Sequence, residues 1–223
     1  MKKLKIIYED KYLIVVNKPA GVYTISRDNH VDYNLYDEVK TYVKKKNPQN
    51  KIFIVHRLDK DTSGLILFAK DEKVKHEMQN NWQNVERKYY AVVSGTVEND
   101  ATLESYLYET KSLDVIVTND KKKGKLAITK YKVITHNNKY SLLDVEIKTG
   151  RKNQIRVQLA NSGHSIVGDK KYGNIKYNRM LLEAYLLRFI HPATRKICSI
   201  SMPINHDFQK LFEKTCNWIF NML

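Results

Sequence analysis

The sequence predicts an α+β fold: one domain over residues 1–223, with a mixed, largely antiparallel sheet flanked by helices. Three observations lead there. Short apolar or alternating runs are bounded by Pro, Gly and Asp, as strands are. A few longer stretches carry apolar residues at helical spacing instead. Neither an internal repeat nor a linker divides the chain, and 223 residues are enough to bury a sizeable core. With 42% hydrophobic and 10% aromatic residues the chain offsets its ordering entropy, which excludes a disordered protein.

The elements follow in order. Lys5 to Tyr8 and Tyr12 to Asn17 read as strands, the second ended by Lys18-Pro19-Ala20-Gly21, where the chain turns. From Tyr33 to Lys46, Leu35, Val39 and Val43 recur on one helical face until Asn47-Pro48 stops it. Ile52 to Val55 and Leu65 to Ala69 are apolar runs enclosing a loop, and Asp71 caps a helix in which Val74, Met78 and Trp82 share a face. Lys88 to Ser94 is a strand that turns at Gly95. Val115 to Thr118 and Ala127 to Ile134 flank the lysine-rich turn Asp120 to Lys125, read as a solvated hairpin tip ahead of the alternative, an RNA contact. Leu143 to Ile147 alternates as a half-buried strand does. After Thr149-Gly150-Arg151 a helix carries Ile155 and Leu159 and ends near Ser162-Gly163. Met180 to Ile190 has β character, and a final helix from Asp207 places Phe208, Leu211, Phe212, Thr215, Ile219 and Met222 on one face.

Charge narrows the function. Lys and Arg exceed Asp and Glu by 39 to 24, a formal charge of +15, which makes nucleic acid the leading partner. No apolar run approaches the ~20 residues that span a bilayer, and no strongly amphipathic basic helix suggests a membrane surface. Glu9, Asp10 and Lys11 interrupt any signal-peptide core, and Cys198 and Cys216 form neither a disulfide framework nor a metal cluster. A cytoplasmic protein without metal or cofactor is expected, and a monomer is the default.

The stretch His56 to Lys70, HRLDKDTSGLILFAK, places Asp59 beside basic residues on a loop between two buried runs. A carboxylate there can serve as nucleophile, as general base, or as the ion-pair partner of a neighbouring arginine; spacing alone does not choose. The segment resembles the catalytic-loop signature of the RluA-type RNA pseudouridine synthases. Further pieces match in order: Asp10-Lys11-Tyr12-Leu13 with Asn17-Lys18-Pro19-Ala20-Gly21; Arg87-Lys88-Tyr89-Tyr90-Ala91 with Gly95; Thr149 to Val157; Gly163 to Asp169 with Tyr172-Gly173; and His191-Pro192 with Met202-Pro203.

The resemblance implies a synthase-like domain with its catalytic loop in a central cleft and no separate amino-terminal RNA-binding domain. It implies isomerisation of uridine to pseudouridine in a ribosomal or transfer RNA stem-loop. Asp59 then becomes the catalytic carboxylate, Tyr89 the ring beside the target base, and Arg156 the cation that pairs with Asp59. Substrate contacts fall to Arg57, His56, Thr62, Ile155, Arg151 and Lys18. Arg57 has two open readings, filling the space vacated by a flipped nucleotide, or clamping a phosphate or its own loop. Tyr90, next to Tyr89, points to the other strand face.

The chain departs from the family pattern at Asn153, Gln158 and Glu183, where histidine is usual. Three rivals stand beside the isomerase. An RNA-binding protein without activity on the same fold is opposed by the intact Asp59, Tyr89 and Arg156. A glycosidase using Asp59 and Asp61 needs a second carboxylate across the bond. A deaminase lacks its zinc signature.

Overall fold

The computed structural model describes residues 4–26 and 33–212. The chain forms two compact units, each discontinuous in sequence: the residues up to Val85 with Leu186–Met202, and Glu86–Tyr185 with the residues from Pro203 on.

In the first unit, strand β1 (Ile6–Glu9) pairs antiparallel with β2 (Leu13–Lys18), and β2 with β4 (Ser63–Ala69), which also takes the short β3 (Phe53–Ile54). All seven residues of β4 are buried, so its unbroken apolar run reflects a strand covered on both faces. On one face Ile14, Val16, Ile66 and Phe68 meet Leu35, Val39 and Val43 of helix α1 (Leu35–Lys46). On the other, Leu13, Val15, Leu65 and Leu67 meet Val74 and Met78 of α2 (Glu72–Asn80). Both helix starts follow the expected chemistry. The Asn34 side chain accepts from the Asp37 N–H, and Asp71 accepts from Lys73 and Val74 N–H groups. Trp82, expected on α2, instead lies in a separate 3-10 turn, Trp82–Asn84.

The second unit is a meander of long strands. Strand β5 (Glu86–Ser94) pairs antiparallel with β9 (Tyr140–Ile147), β9 with β8 (Lys125–His136), β8 with β6 (Ala101–Glu109), and β6 with β7 (Val115–Thr118). This order corrects the hairpin reading of the lysine-rich turn. β7 and β8 do not pair with each other, because β6 lies between them and the turn carries the chain past it. Helix α3 (Gln154–Asn161) sets Val157 against Leu107, Val115 and Ala127. A second cluster gathers Tyr90, Val92, Leu142, Leu181, Phe208 and Phe212, the last two from helix α4 (His206–Gln209) and the residues after it. The expected continuation through Thr215, Ile219 and Met222 lies outside the described residues.

Strand β10 (Leu182–Ile190) runs from the second unit into the first, where Leu186–Ile190 pair antiparallel with β11 (Ile197–Ser201). The fold class is therefore the α+β one expected, on a mainly antiparallel framework. No helix among the described residues is long and apolar enough to cross a membrane.

Candidate functional site

Asp59 lies half-buried on the irregular segment that joins β3 to β4. A loop of this length carries many backbone groups that need partners, and the first unit supplies them one by one. The Thr24 hydroxyl donates to the Leu58 carbonyl at 3.0 Å and accepts from the Leu58 N–H at 3.2 Å. The Gly21 N–H donates to the Lys60 carbonyl, and the Thr62 N–H to that of Asp59 itself. At the root of the loop, Gln79 Nε2 donates to the carbonyls of Ile54 and Val55.

Lys18 is the largest of these holds. It is 0% exposed, and its ammonium donates to the carbonyls of Val22 at 2.7 Å, Lys60 at 2.9 Å and Pro19 at 3.1 Å. Burial pulls its pKa down to about 8, while the negative charges of Asp61 and Asp59 act in the opposite direction. The resemblance implies a substrate contact for Lys18, and its ammonium lies inside the loop's own scaffold. His56 has a similar setting. Its Nε2 accepts from the Leu67 N–H at 3.0 Å, and its ring stacks on Trp82 with centroids 4.4 Å apart. Thr62 is buried, and Arg57 is the exposed member of the set.

The remaining candidates belong to the second unit. Tyr89 is buried on β5 opposite Val145, and Tyr90 turns to the other face, where its ring stacks on Tyr185 at 3.8 Å. The Tyr185 hydroxyl donates to Asp144 at 2.9 Å. Ile155 and Arg156 lie buried in the first turn of α3, and Arg151 just before it is exposed, its Nε donating to the Leu126 carbonyl.

Arg156 is held on several sides. Its Nε donates to Asp169 Oδ2 at 2.7 Å and its Nη2 to Oδ1 at 2.8 Å, a two-pronged bond, while Nη1 donates to Asn153 Oδ1 at 3.0 Å. The ring of Tyr172 lies 5.1 Å from the guanidinium carbon. Asp169 and Tyr172 lie in the Gly163 to Asp169 and Tyr172-Gly173 pieces, and nothing local in the sequence ties them to Arg156, since the contact depends on the turn after α3.

The three departures from the family pattern each have a place. Asn153 precedes α3 with φ 53°, a left-handed conformation that Asn tolerates better than most side chains. Gln158 is buried, its Oε1 accepting from Thr129 Oγ at 2.7 Å and its Nε2 donating to Ser105 Oγ and the Ala127 carbonyl. Glu183 is buried near Asn205 and Arg179. Among the described residues no His, Cys, Asp and Glu cluster is arranged to hold a metal ion.

Comparison with known proteins places this chain in a class of RNA-modifying isomerases. Residues 12–161 match the family described as RNA pseudouridylate synthase. The tRNA pseudouridine synthase C of Vibrio vulnificus is 32% identical over 95% of this chain and 95% of its own. The ribosomal large subunit pseudouridine synthase D of Zymomonas mobilis is 31% identical over 94% of this chain and 72% of its own. Among solved structures, human RNA pseudouridylate synthase domain containing 4 shares the fold, with a TM-score of 0.80 over 94% of this chain and 92% of its own at 20% identity. The chain belongs to the RluA family of RNA pseudouridine synthases, which isomerise uridine in RNA.

Proposed function

We propose that this synthase modifies uridine in transfer or ribosomal RNA, with Asp59 as its catalytic carboxylate. The observation that carries the reading is the construction of the Asp59 loop. Lys18, Thr24 and Thr62 fix its backbone on both sides of Asp59, which suits a side chain that must keep its aim while a substrate moves. The relatives named above act on transfer RNA in one case and on the large ribosomal subunit in the other, so both RNA classes are candidates.

The reaction cleaves the uridine N1–C1′ bond, turns the detached uracil in place and rejoins it through C5, with loss of the C5 proton and gain of one at N1. Atoms balance without an oxidant or an energy source. In this reading Asp59 acts on the nucleotide, Tyr89 lies beside the uracil ring, and Arg156 pairs with Asp59. Ile155 supports the base, while Arg57 and Arg151, both exposed, meet the RNA. Lys18, His56 and Thr62 serve the substrate through the loop they hold.

The target class is tested by mapping pseudouridine in total RNA from cells with and without this gene. A position lost in transfer or ribosomal RNA, and restored by the wild-type chain, supports the reading. An unchanged map in both RNA classes contradicts it.

A further inference from the structure

We propose that Asn153, Asp169 and Tyr172 form a cage whose task is to position the guanidinium of Arg156. The inference rests on the reading in which Arg156 serves the reacting carboxylate.

The cage closes on itself. Asp169 takes one edge of the guanidinium through the two-pronged bond, and its side chain is 0% exposed. Its Oδ1 also accepts from the Lys171 N–H at 2.9 Å and the Tyr172 N–H at 3.2 Å, so the carboxylate is fixed by the turn that follows it. That turn delivers the Tyr172 ring to the guanidinium face. The Tyr172 hydroxyl accepts from Val115 N–H at 3.2 Å and from Asn153 Nδ2 at 3.1 Å, and the other end of the Asn153 amide returns to Arg156 Nη1. Burial raises the Asp169 carboxyl, but the Arg156 bond and charge with the two N–H bonds outweigh it and hold the group below its usual range.

Stability alone does not account for such a construction, because a buried ion pair often does no better than apolar residues of the same volume. What it provides is orientation: an arginine has many rotamers, and here an edge, one terminal nitrogen and a ring face each restrict it. Asn153 is suited to its part by its left-handed backbone, which leaves the side chain unused as a helix cap and turned toward Arg156 and Tyr172.

The test uses Asn153→Gly, which keeps the backbone conformation without strain and removes the amide. Turnover on RNA is expected to fall about 10- to 100-fold with KM within about twofold, the pattern of lost alignment. Asn153→Asp retains an acceptor for Arg156 Nη1 and should restore most of kcat. Tyr172→Phe, which removes only the hydroxyl that holds Asn153, should give a smaller loss of the same kind. Wild-type kcat in folded Asn153→Gly and Tyr172→Phe, or a loss confined to KM, overturns the inference. Arg156→Leu separates the two levels: if it too turns over normally, the role given to Arg156 falls; if it is inactive while the cage variants are not, the cage alone falls.

Discussion

Lys18 belongs to the Asn17-Lys18-Pro19-Ala20-Gly21 segment, and the family resemblance implies a substrate contact for it. It is fully buried, and of its three carbonyl contacts those to Pro19 and Val22 are local, while the third comes with the return of the chain at Lys60, which no local pattern encodes. Lys18→Met takes the ammonium donor from the carbonyls of Val22 and Pro19 and leaves that of Lys60 with the Gly21 N–H alone, and should cost about 1–3 kcal/mol in urea unfolding at pH 7. The pH dependence has a defined sign. The folded pKa of about 8 lies below the ordinary 10.5, so the unfolded chain binds the proton more tightly between these values. Stability of the wild type relative to Lys18→Met should therefore rise from pH 8 toward 10.5. A flat or falling difference in that window contradicts the buried ammonium. Asp59 was legible because it stood in a recognisable signature; the residues that hold its loop, Thr24 above all, were not, since a threonine near a turn has many equally ordinary uses.

At the scale of elements, polar clasps join strands and helices that the sequence shows only as separate runs. Glu9 at the end of β1 accepts from Lys46 and Tyr42 of α1 and from Lys70 after β4. Burial raises the Glu9 carboxyl, but bonds from Lys70, Lys46 and Tyr42 more than reverse this and bring it to about 2. A carboxylate with a depressed pKa stabilises the fold above its unfolded value and loses that contribution as pH falls through the folded one. The stability advantage of the wild type over Glu9→Gln should be full at neutral pH and shrink between pH 4.5 and about 2, as read from urea midpoints; an advantage that persists at pH 2 contradicts the clasp. Asp10 makes a comparable join to His191, whose Nε2 donates to Oδ2 at 2.7 Å across 181 residues of chain, while the Leu13 and Tyr12 N–H groups bind Oδ1. Two quoted motif pieces from opposite ends of the chain are thus one contact, with a structural reason for both. Strand β6 is hard to see in the sequence because Ser105 shares the inward parity of Leu103 and Leu107 while Tyr106 and Tyr108 share the outward parity of Thr102 and Glu104, and with it goes the true path between β7 and β8. Strands β2 and β4 were plain, since nothing but double-sided burial calls for LIVV and LILFA.

At the scale of the whole molecule, the formal charge of +15 and the family membership point to the same polyanion. RNA affinity should fall steeply with salt, linearly on logarithmic axes, as phosphate contacts release counterions. A flat response between about 50 and 200 mM salt contradicts an electrostatic footprint. The fold class was readable because α+β pattern and motif order extend over most of the chain; the division into two units was not, because each unit is assembled from segments distant in sequence. The central claim is that Asp59 carries the isomerisation, and tritium release from RNA labelled at uridine C5 tests it most directly, comparing wild type with Asp59→Asn on RNA from cells lacking the gene. Release by the wild type alone, with folding and RNA affinity retained in the variant, is the predicted result. Comparable release by Asp59→Asn, or none by the wild type on RNA it binds, would contradict the account.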